Sequence, residues 1–191
     1  MTRKIWLIRH AESLANTGAA THTPADIPLT DLGKKQAREF SLTFERPPGL
    51  IITSIYIRTQ QTAAPTLLRF PQTPHEIWDS VHEFTYLAPG SCMNTTITER
   101  RGRVIEYWNR MDPDYRDGEG AETFREFTQR ARITLERLRA TAADFSAVFT
   151  HGQFMQAMRL LHLESMDTLR LMESFTNLPP VENCEVFQLN I

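Results

Sequence analysis

Residues 5–13 read IWLIRHAES, so four apolar residues are followed at once by an arginine and a histidine. Two further runs have the same form: LIIT at 50–53 and AVFT at 147–150. Each is short, continuously apolar and separated from the next by segments with helical periodicity, as is typical of buried parallel strands. The pattern predicts an α/β fold built on a mostly parallel sheet.

Polar side chains follow each of these three runs. The first run ends at Arg9-His10, the second is followed by Arg58 one helical turn later, and the third ends at His151. Because ligands of open α/β sheets bind beyond the carboxyl ends of the strands, we expect these four side chains to converge on one rim.

Helical segments are expected between and beyond the strands. In the first of them Thr30 is a natural N-cap, and in the second Pro65 is expected to kink or shorten the helix. The predicted helices cover residues 29–44, 54–68, 97–111, 121–140 and 153–163. A short strand and a loop are expected at 76–84, and the alternating pattern of 185–191 predicts an edge strand.

Length and composition favour one ordinary globular domain over residues 1–191, with an insertion at about 84–120 over one edge of the sheet. The formal net charge is only −2, which gives no case for a nucleic-acid or membrane partner. The two cysteines, Cys92 and Cys184, form no disulfide framework and favour a reducing compartment. No segment approaches the roughly 20 apolar residues of a membrane span, so a cytoplasmic location is predicted.

The predicted rim suits phosphate chemistry. Guanidinium groups match phosphate oxygens, and helix N-termini add backbone N–H donors. Two nearby guanidinium charges also disfavour imidazolium, so one histidine stays neutral and can attack as a nucleophile. These residues therefore indicate phosphoryl transfer through a phosphohistidine, with Glu83 as the proton donor and Glu12 as a residue that orients the loop.

Five ordered motifs resemble those of the histidine phosphatase superfamily, also called phosphoglycerate mutase-like. They are LIRHAESLAN, LTDLGKKQA, ITSIYIRTQQTA with the later HEF, GAETFREFTQR and VFTHGQF. The resemblance implies a three-layer α/β/α sandwich and a metal- and cofactor-independent phosphomonoesterase of the histidine acid type, acting on a small phosphorylated metabolite. It leaves the substrate open among sugar phosphates, nucleotide-related esters, ribazole phosphate and phosphoproteins.

The resemblance also implies roles for individual residues. His10 would be the phosphorylated nucleophile, and Glu83 would protonate the leaving group and then activate water. The phosphoryl group would be bound by Arg9, Arg58 and His151, assisted by Ser13, Asn16, Gly152 and Gln153.

The chain departs from the family pattern at two places. Ala11 replaces the glycine that follows the histidine, and the residues after Glu83 differ from the usual F-G-x-W-x-G. The segments typical of glycolytic mutases are missing, which favours a phosphatase over a phosphomutase.

Two other functions compete with catalysis by a phosphohistidine. One is a metal hydrolase on His10, Glu12 and His151, although two arginines would repel the cation. The other is a non-catalytic phosphate-binding module. In the insertion, Tyr86, Met93 and Trp108 could line an apolar pocket, and the run Arg100, Arg101 and Arg103 could meet a second anionic group.

Overall fold

The computed structural model describes residues 2–163 and 166–191, which form a five-stranded sheet in the order β3-β2-β4-β1-β5. Strands β1 to β4 are parallel, and β5 runs antiparallel to β1 at one edge. The strands are β1 Lys4–Arg9, β2 Leu50–Thr53, β3 His75–Ile77, β4 Phe145–Thr150 and β5 Val186–Asn190. The predicted mostly parallel sheet and the predicted edge strand are both confirmed, and the edge strand proves to be antiparallel.

Within the described residues, seven α-helices connect these strands. They are α1 Asp31–Ser41, α2 Ile57–Arg69, α3 Pro89–Cys92, α4 Ile97–Asn109, α5 Phe124–Ala140, α6 Gly152–Leu163 and α7 Thr168–Thr176. Helix α2 continues through Pro65, so the early break is not observed. Helix α7 was not predicted, although Asp167 caps it and its buried face is apolar. In the part of the chain that the structure describes, no helix is long and apolar enough to cross a membrane.

The sheet is covered on both faces, because successive side chains of a strand point to opposite sides. In β4, Ala147 and Phe149 pack with Phe40 of α1 and Ala63 of α2. Val148, between them, packs on the other side with residues of α5, α6 and α7. The three-layer α/β/α sandwich is thereby confirmed.

Residues 84–120, which the sequence analysis predicts to be an insertion, pack through aromatic side chains on the α5–α7 side of the molecule. The indole of Trp108 stacks on Phe175 of α7 with centroids 5.5 Å apart, and Phe84 stacks on Phe127 of α5 at 4.2 Å. Such aromatic pairs contribute about 0.5–1.5 kcal/mol each beyond their buried area. These contacts hold α4 beside the rim at which the strands end.

Gly33 allows α1 to approach the loop after β1. A Cβ at this position would lie 2.0 Å from the backbone oxygen of Glu12. The same helix start is capped by Thr30, whose Oγ1 accepts a hydrogen bond from the Gly33 N–H at 2.9 Å. Thr30 Oγ1 also donates to Glu12 Oε1 at 2.6 Å, so the helix N-terminus and the loop form one unit.

We expect Gly33→Ala to destabilise the protein by roughly 1–3 kcal/mol, because the added methyl group overlaps the Glu12 carbonyl. Urea unfolding monitored by circular dichroism measures this change. Gly102→Ala is the matched control: Gly102 lies in α4 with nothing within 4 Å of an added Cβ. That control should gain about 0.5–1 kcal/mol, as for Gly to Ala in a helix. Equal stability of the Gly33 variant and the parent would contradict the close approach.

Candidate active site

The pairing of β1 with β4 places the two motif histidines side by side. Arg9 pairs with Thr150 in the parallel register, and the His10 N–H donates to the Thr150 carbonyl at 2.9 Å. The rings of His10 and His151 consequently lie 5.2 Å apart between centroids. His10 is 4% exposed and His151 is fully buried, so both imidazoles lie below the surface at the carboxyl ends of the strands.

The hydrogen bonds of His10 fix its tautomer. Nδ1 lies 2.7 Å from the Ala11 carbonyl oxygen, and because a carbonyl only accepts, Nδ1 carries the proton. The lone pair is therefore on Nε2. Asn183 Nδ2 donates to the His10 carbonyl at 2.8 Å, and the Ala11 N–H donates to Thr62 Oγ1 at 3.0 Å. Ala11 has no positive φ, so the alanine in place of the family's glycine causes no backbone strain.

His151 has the opposite tautomer. Arg58 Nη2 donates to its Nδ1 at 3.1 Å, since a guanidinium has no acceptor. The proton is then on Nε2, which donates to Ser54 Oγ at 2.9 Å. Ser54 follows β2 directly, so this contact joins the ends of β2 and β4.

Both imidazoles are held neutral. Burial lowers the pKa of His10 well below 6.5, and the charges of Arg58 and Arg9 lower it further, against a smaller opposing effect of the Ala11 carbonyl. Burial likewise lowers the pKa of His151, followed by the charge of Arg58. Near neutral pH the Nε2 of His10 is consequently an unprotonated nitrogen beside a buried cation.

Arg58 is buried in the first turn of α2. Its Nη1 donates to the Pro24 carbonyl at 2.6 Å, and its Cζ lies 4.7 Å from the centroid of the Tyr56 ring. Burial lowers the pKa of Arg58 to about 10, partly opposed by the charge of Glu83. This guanidinium thus remains a cation near neutral pH.

Arg9 offers a donor with nothing to bind. Its Nη1 donates to the Val181 carbonyl, but its buried Nε has no hydrogen-bond partner among the described residues. A Cβ on Gly152 would lie 3.5 Å from this Nε, so the start of α6 runs beside it. Because buried donors are normally satisfied, the free Nε fits a site built for an anion.

Glu83 occupies the N-terminus of α6. Its carboxylate accepts hydrogen bonds from the N–H groups of Phe84, Gln153 and Phe154 at 3.0, 3.2 and 3.1 Å. The backbone N–H of Gln153 is thus bonded to Glu83 and does not point to a free anion site. The contact does place the predicted acid next to Gly152 and Arg9.

A partly buried ion pair holds the loop that carries Glu83. Arg130 of α5 binds both carboxylate oxygens of Glu122 at 2.8 and 2.7 Å and donates to the carbonyls of Ser80 and His82 at 3.0 and 2.9 Å. Glu122 Oε2 also accepts from the Thr85 N–H at 3.2 Å. Although burial opposes it, bonding to His82 and Arg130 lowers the pKa of Glu122 to about 2. The GAETFREFTQR motif therefore positions the acid loop.

The remaining predicted residues play supporting parts. The N–H and Oγ of buried Ser13 both donate to Asn16 Oδ1 at 2.9 Å, while Asn16 itself is exposed. Glu12, bonded to Thr30, orients the loop as predicted. No group of three or more histidine, cysteine or acidic side chains is arranged to hold a metal ion among the described residues, so the set His10, Glu12 and His151 does not assemble.

Two cavities open beside Glu83. The larger, about 550 Å³, is lined by Arg9, Glu83, Gly152 and Gln153 together with side chains of α4 and of residues 175–181. The smaller, about 320 Å³, is lined by Arg58, Tyr56, Glu83, Tyr86 and Arg100 among others. Of the insertion residues expected to line a pocket, Trp108 borders the first cavity and Tyr86 the second, whereas Met93 borders neither.

Sequence reasoning missed several contributors to the site. They are Ser54, Asn183, the Glu122–Arg130 pair and the C-terminal wall of the larger cavity formed by Phe175, Leu178 and Val181. The helical spacing of Leu171, Met172 and Phe175 after Asp167 could have revealed α7. No local signal marks Asn183, since its partner is 173 positions away.

Comparison with known proteins agrees with this fold. The model of the histidine phosphatase superfamily (branch 1) matches residues 5–189, and the chain belongs to that superfamily. No protein with a curated description matches the chain at a significant level.

Similar solved structures cover nearly all of the chain. The mycobacterial glucosyl-3-phosphoglycerate phosphatase is 19% identical with a TM-score of 0.77, over 98% of this chain and 90% of that one. The α-ribazole phosphatase of Shigella flexneri is 20% identical with a TM-score of 0.77, over 97% and 89%. A phosphoserine phosphatase variant of Entamoeba histolytica, in complex with phosphoserine, is 19% identical with a TM-score of 0.75, over 97% and 89%. At these identities the likeness shows the fold.

The buried histidines predict a loss of stability in mild acid. The pKa of His10 is lowered on folding, so below pH 6.5 the unfolded chain binds a proton that the folded protein does not. The contribution of each such group to the free energy of unfolding has its full value above pH 6.5. Below that pH it falls by about 1.4 kcal/mol per pH unit.

Urea unfolding at pH 7.5, 6.5 and 5.5 measures this dependence. We expect His10→Gln to make the slope between pH 6.5 and 5.5 shallower by up to about 1.4 kcal/mol per unit. His22→Gln, at an exposed loop histidine, should leave it unchanged. Identical slopes for the His10 variant and the parent would contradict the neutral buried imidazole.

Proposed function

We propose that this protein is a phosphomonoesterase that hydrolyses a small phosphorylated substrate through a phosphohistidine at His10. The observation that carries the proposal is the neutral, tautomerically fixed His10 beside His151 and Arg58 at the carboxyl ends of the strands. The free Nε of Arg9 adds a buried donor for a phosphoryl oxygen.

In the first step, His10 Nε2 attacks phosphorus, and the bond from phosphorus to the ester oxygen breaks. Arg9 and Arg58 stabilise the charge on the phosphoryl oxygens, while His151, whose two ring nitrogens are bonded to Arg58 and Ser54, holds Arg58 in place. The departing oxygen takes a proton from Glu83, which leaves the alcohol and a phosphohistidine.

In the second step, water attacks the phosphohistidine and gives its proton to the Glu83 carboxylate. The bond between phosphorus and Nε2 breaks, inorganic phosphate leaves, and His10 returns to its neutral form. Glu83 borders both cavities, so it is placed to act on a leaving group in either one.

The similar structures support the reaction class. The three described above are a glucosyl-3-phosphoglycerate phosphatase, an α-ribazole phosphatase and a phosphoserine phosphatase. The matching family model is that of branch 1, which differs from the histidine acid phosphatases, so the acid-type assignment is not part of the proposal.

We expect the purified protein to hydrolyse p-nitrophenyl phosphate in the presence of EDTA, because the mechanism needs no metal. His10→Ala should abolish the activity, since the nucleophilic nitrogen is lost. Release of p-nitrophenol measures both. Activity that EDTA removes and zinc restores would contradict the proposal, as would tight phosphate binding by the parent without turnover.

We expect Glu83→Gln to slow turnover by ~10²–10⁴, the usual contribution of a general acid, because glutamine cannot supply the proton. Phosphate affinity, measured by competitive inhibition, should change little. Asp79→Asn is the control, since Asp79 is an exposed carboxylate of the same loop. A normal rate for the Glu83 variant together with a slow rate for the Asp79 variant would show that Glu83 is not the general acid.

A further inference from the structure

We infer that the alcohol part of the substrate is neutral and largely apolar, and that it binds in the larger cavity beside Glu83. This inference rests on the phosphomonoesterase function proposed above. The cavity of about 550 Å³ falls within the usual range of small-molecule sites, roughly 300–1,000 Å³.

The walls of this cavity are mostly apolar, although the uncharged polar residues Asn109, Gln153, Gln156 and Thr176 also line it. Helix α4 supplies one wall, and the chain after the middle of α7 supplies the other. The apolar lining residues are Val104, Ile105, Trp108, Phe175, Leu178, Pro180 and Val181. Among the described residues that line the cavity, only Arg9 and Glu83 carry charge, and both are assigned to the reaction itself.

The charged and the apolar parts of the lining come from different elements. Arg9 and Glu83 each lie beside the N-terminus of α6, where Gly152 is next to the Arg9 Nε and Gln153 bonds to Glu83. The phosphate ester of an apolar alcohol likewise has a charged end and an apolar end. Its phosphoryl group would face the charged end while its carbon skeleton covers the apolar walls.

Contacts within the protein hold the walls of the cavity in place. The Val181 carbonyl accepts from Arg9, and Gln156 Nε2 donates to the Pro179 carbonyl at 2.7 Å. Pro179 and Pro180 have restricted φ angles, which stiffens this wall. The opposite wall is held by the stack of Trp108 on Phe175. A preformed apolar site binds without a large ordering cost.

The smaller cavity offers a competing interpretation. It holds Arg58 and also Arg100, whose guanidinium takes part in no ion pair among the described residues. A substrate with a second anionic group would use Arg100 there. We favour the larger cavity because Arg100 is half exposed on a surface helix, where it is solvated, whereas burying apolar surface is favourable without a partner charge.

Three aryl phosphates with similar leaving groups separate the two interpretations. They are phenyl phosphate, 2-naphthyl phosphate, which adds an apolar ring, and 4-carboxyphenyl phosphate, which adds an anion. We expect kcat/KM for 2-naphthyl phosphate to exceed that for phenyl phosphate by about tenfold or more, as for added apolar groups in a fitted pocket. The carboxylate should give no gain.

Two isoleucines of α4 form a matched pair for the test. Ile105 borders only the larger cavity and is 49% exposed, whereas Ile97 borders only the smaller one and is 52% exposed. We expect Ile105→Gln to reduce the ratio of naphthyl to phenyl kcat/KM several-fold, and Ile97→Gln to leave it unchanged. Both residues are at the surface, so neither variant should fail to fold.

A preference for 4-carboxyphenyl phosphate that Arg100→Gln removes and Arg101→Gln retains would overturn the inference. So would equal kcat/KM for phenyl and naphthyl esters, or loss of the naphthyl preference only in the Ile97 variant. If no ester is hydrolysed above the His10→Ala blank, the proposed function itself fails. Calorimetric binding of the same three esters to the parent protein then still decides whether the cavity prefers the naphthyl group.

Discussion

The site depends on the register of β1 against β4. Because Arg9 pairs with Thr150, the residue that follows each strand is a histidine. The two rings lie 5.2 Å apart between centroids at one end of the sheet. A shift of one residue would turn the side chains of a strand to the opposite face. Both faces of β4 are packed against helices, so the shift would also exchange the side chains that fill the two cores and disrupt the packing of each.

Burial at the carboxyl ends of the strands keeps the two histidines neutral. Desolvation is the largest cause of the lowered pKa of both histidines, and the Arg58 cation adds to it. Arg58 donates to His151 and to the Pro24 carbonyl, so the fold holds a guanidinium cation in contact with a neutral imidazole. The Nε of Arg9 is the only fully buried guanidinium nitrogen without a hydrogen-bond partner among the described residues. Such preorganised donors stabilise developing charge without having to rearrange.

The ends of the parallel strands position His10 and His151, whereas other segments position Glu83 and the walls of the cavities. Glu83 is held by the N-terminus of α6, and its loop is tied to α5 through Arg130 and Glu122. The insertion and the chain after α7 then form the walls around it. The reacting groups of the proposed mechanism and the walls of the cavities consequently lie on different parts of the chain.

The sequence by itself determined the strands, most of the helices and the convergence of His10, Arg58 and His151. These features follow from local patterns. Apolar runs form strands, and the carboxyl ends of parallel strands lie at one edge of the sheet. Thr30 caps its helix through local sequence, whatever the helix packs against. Only the tertiary structure decided what Glu83 contacts and which walls enclose the cavities. Those features depend on side chains that are far apart in the chain, and local periodicity holds no record of such pairs.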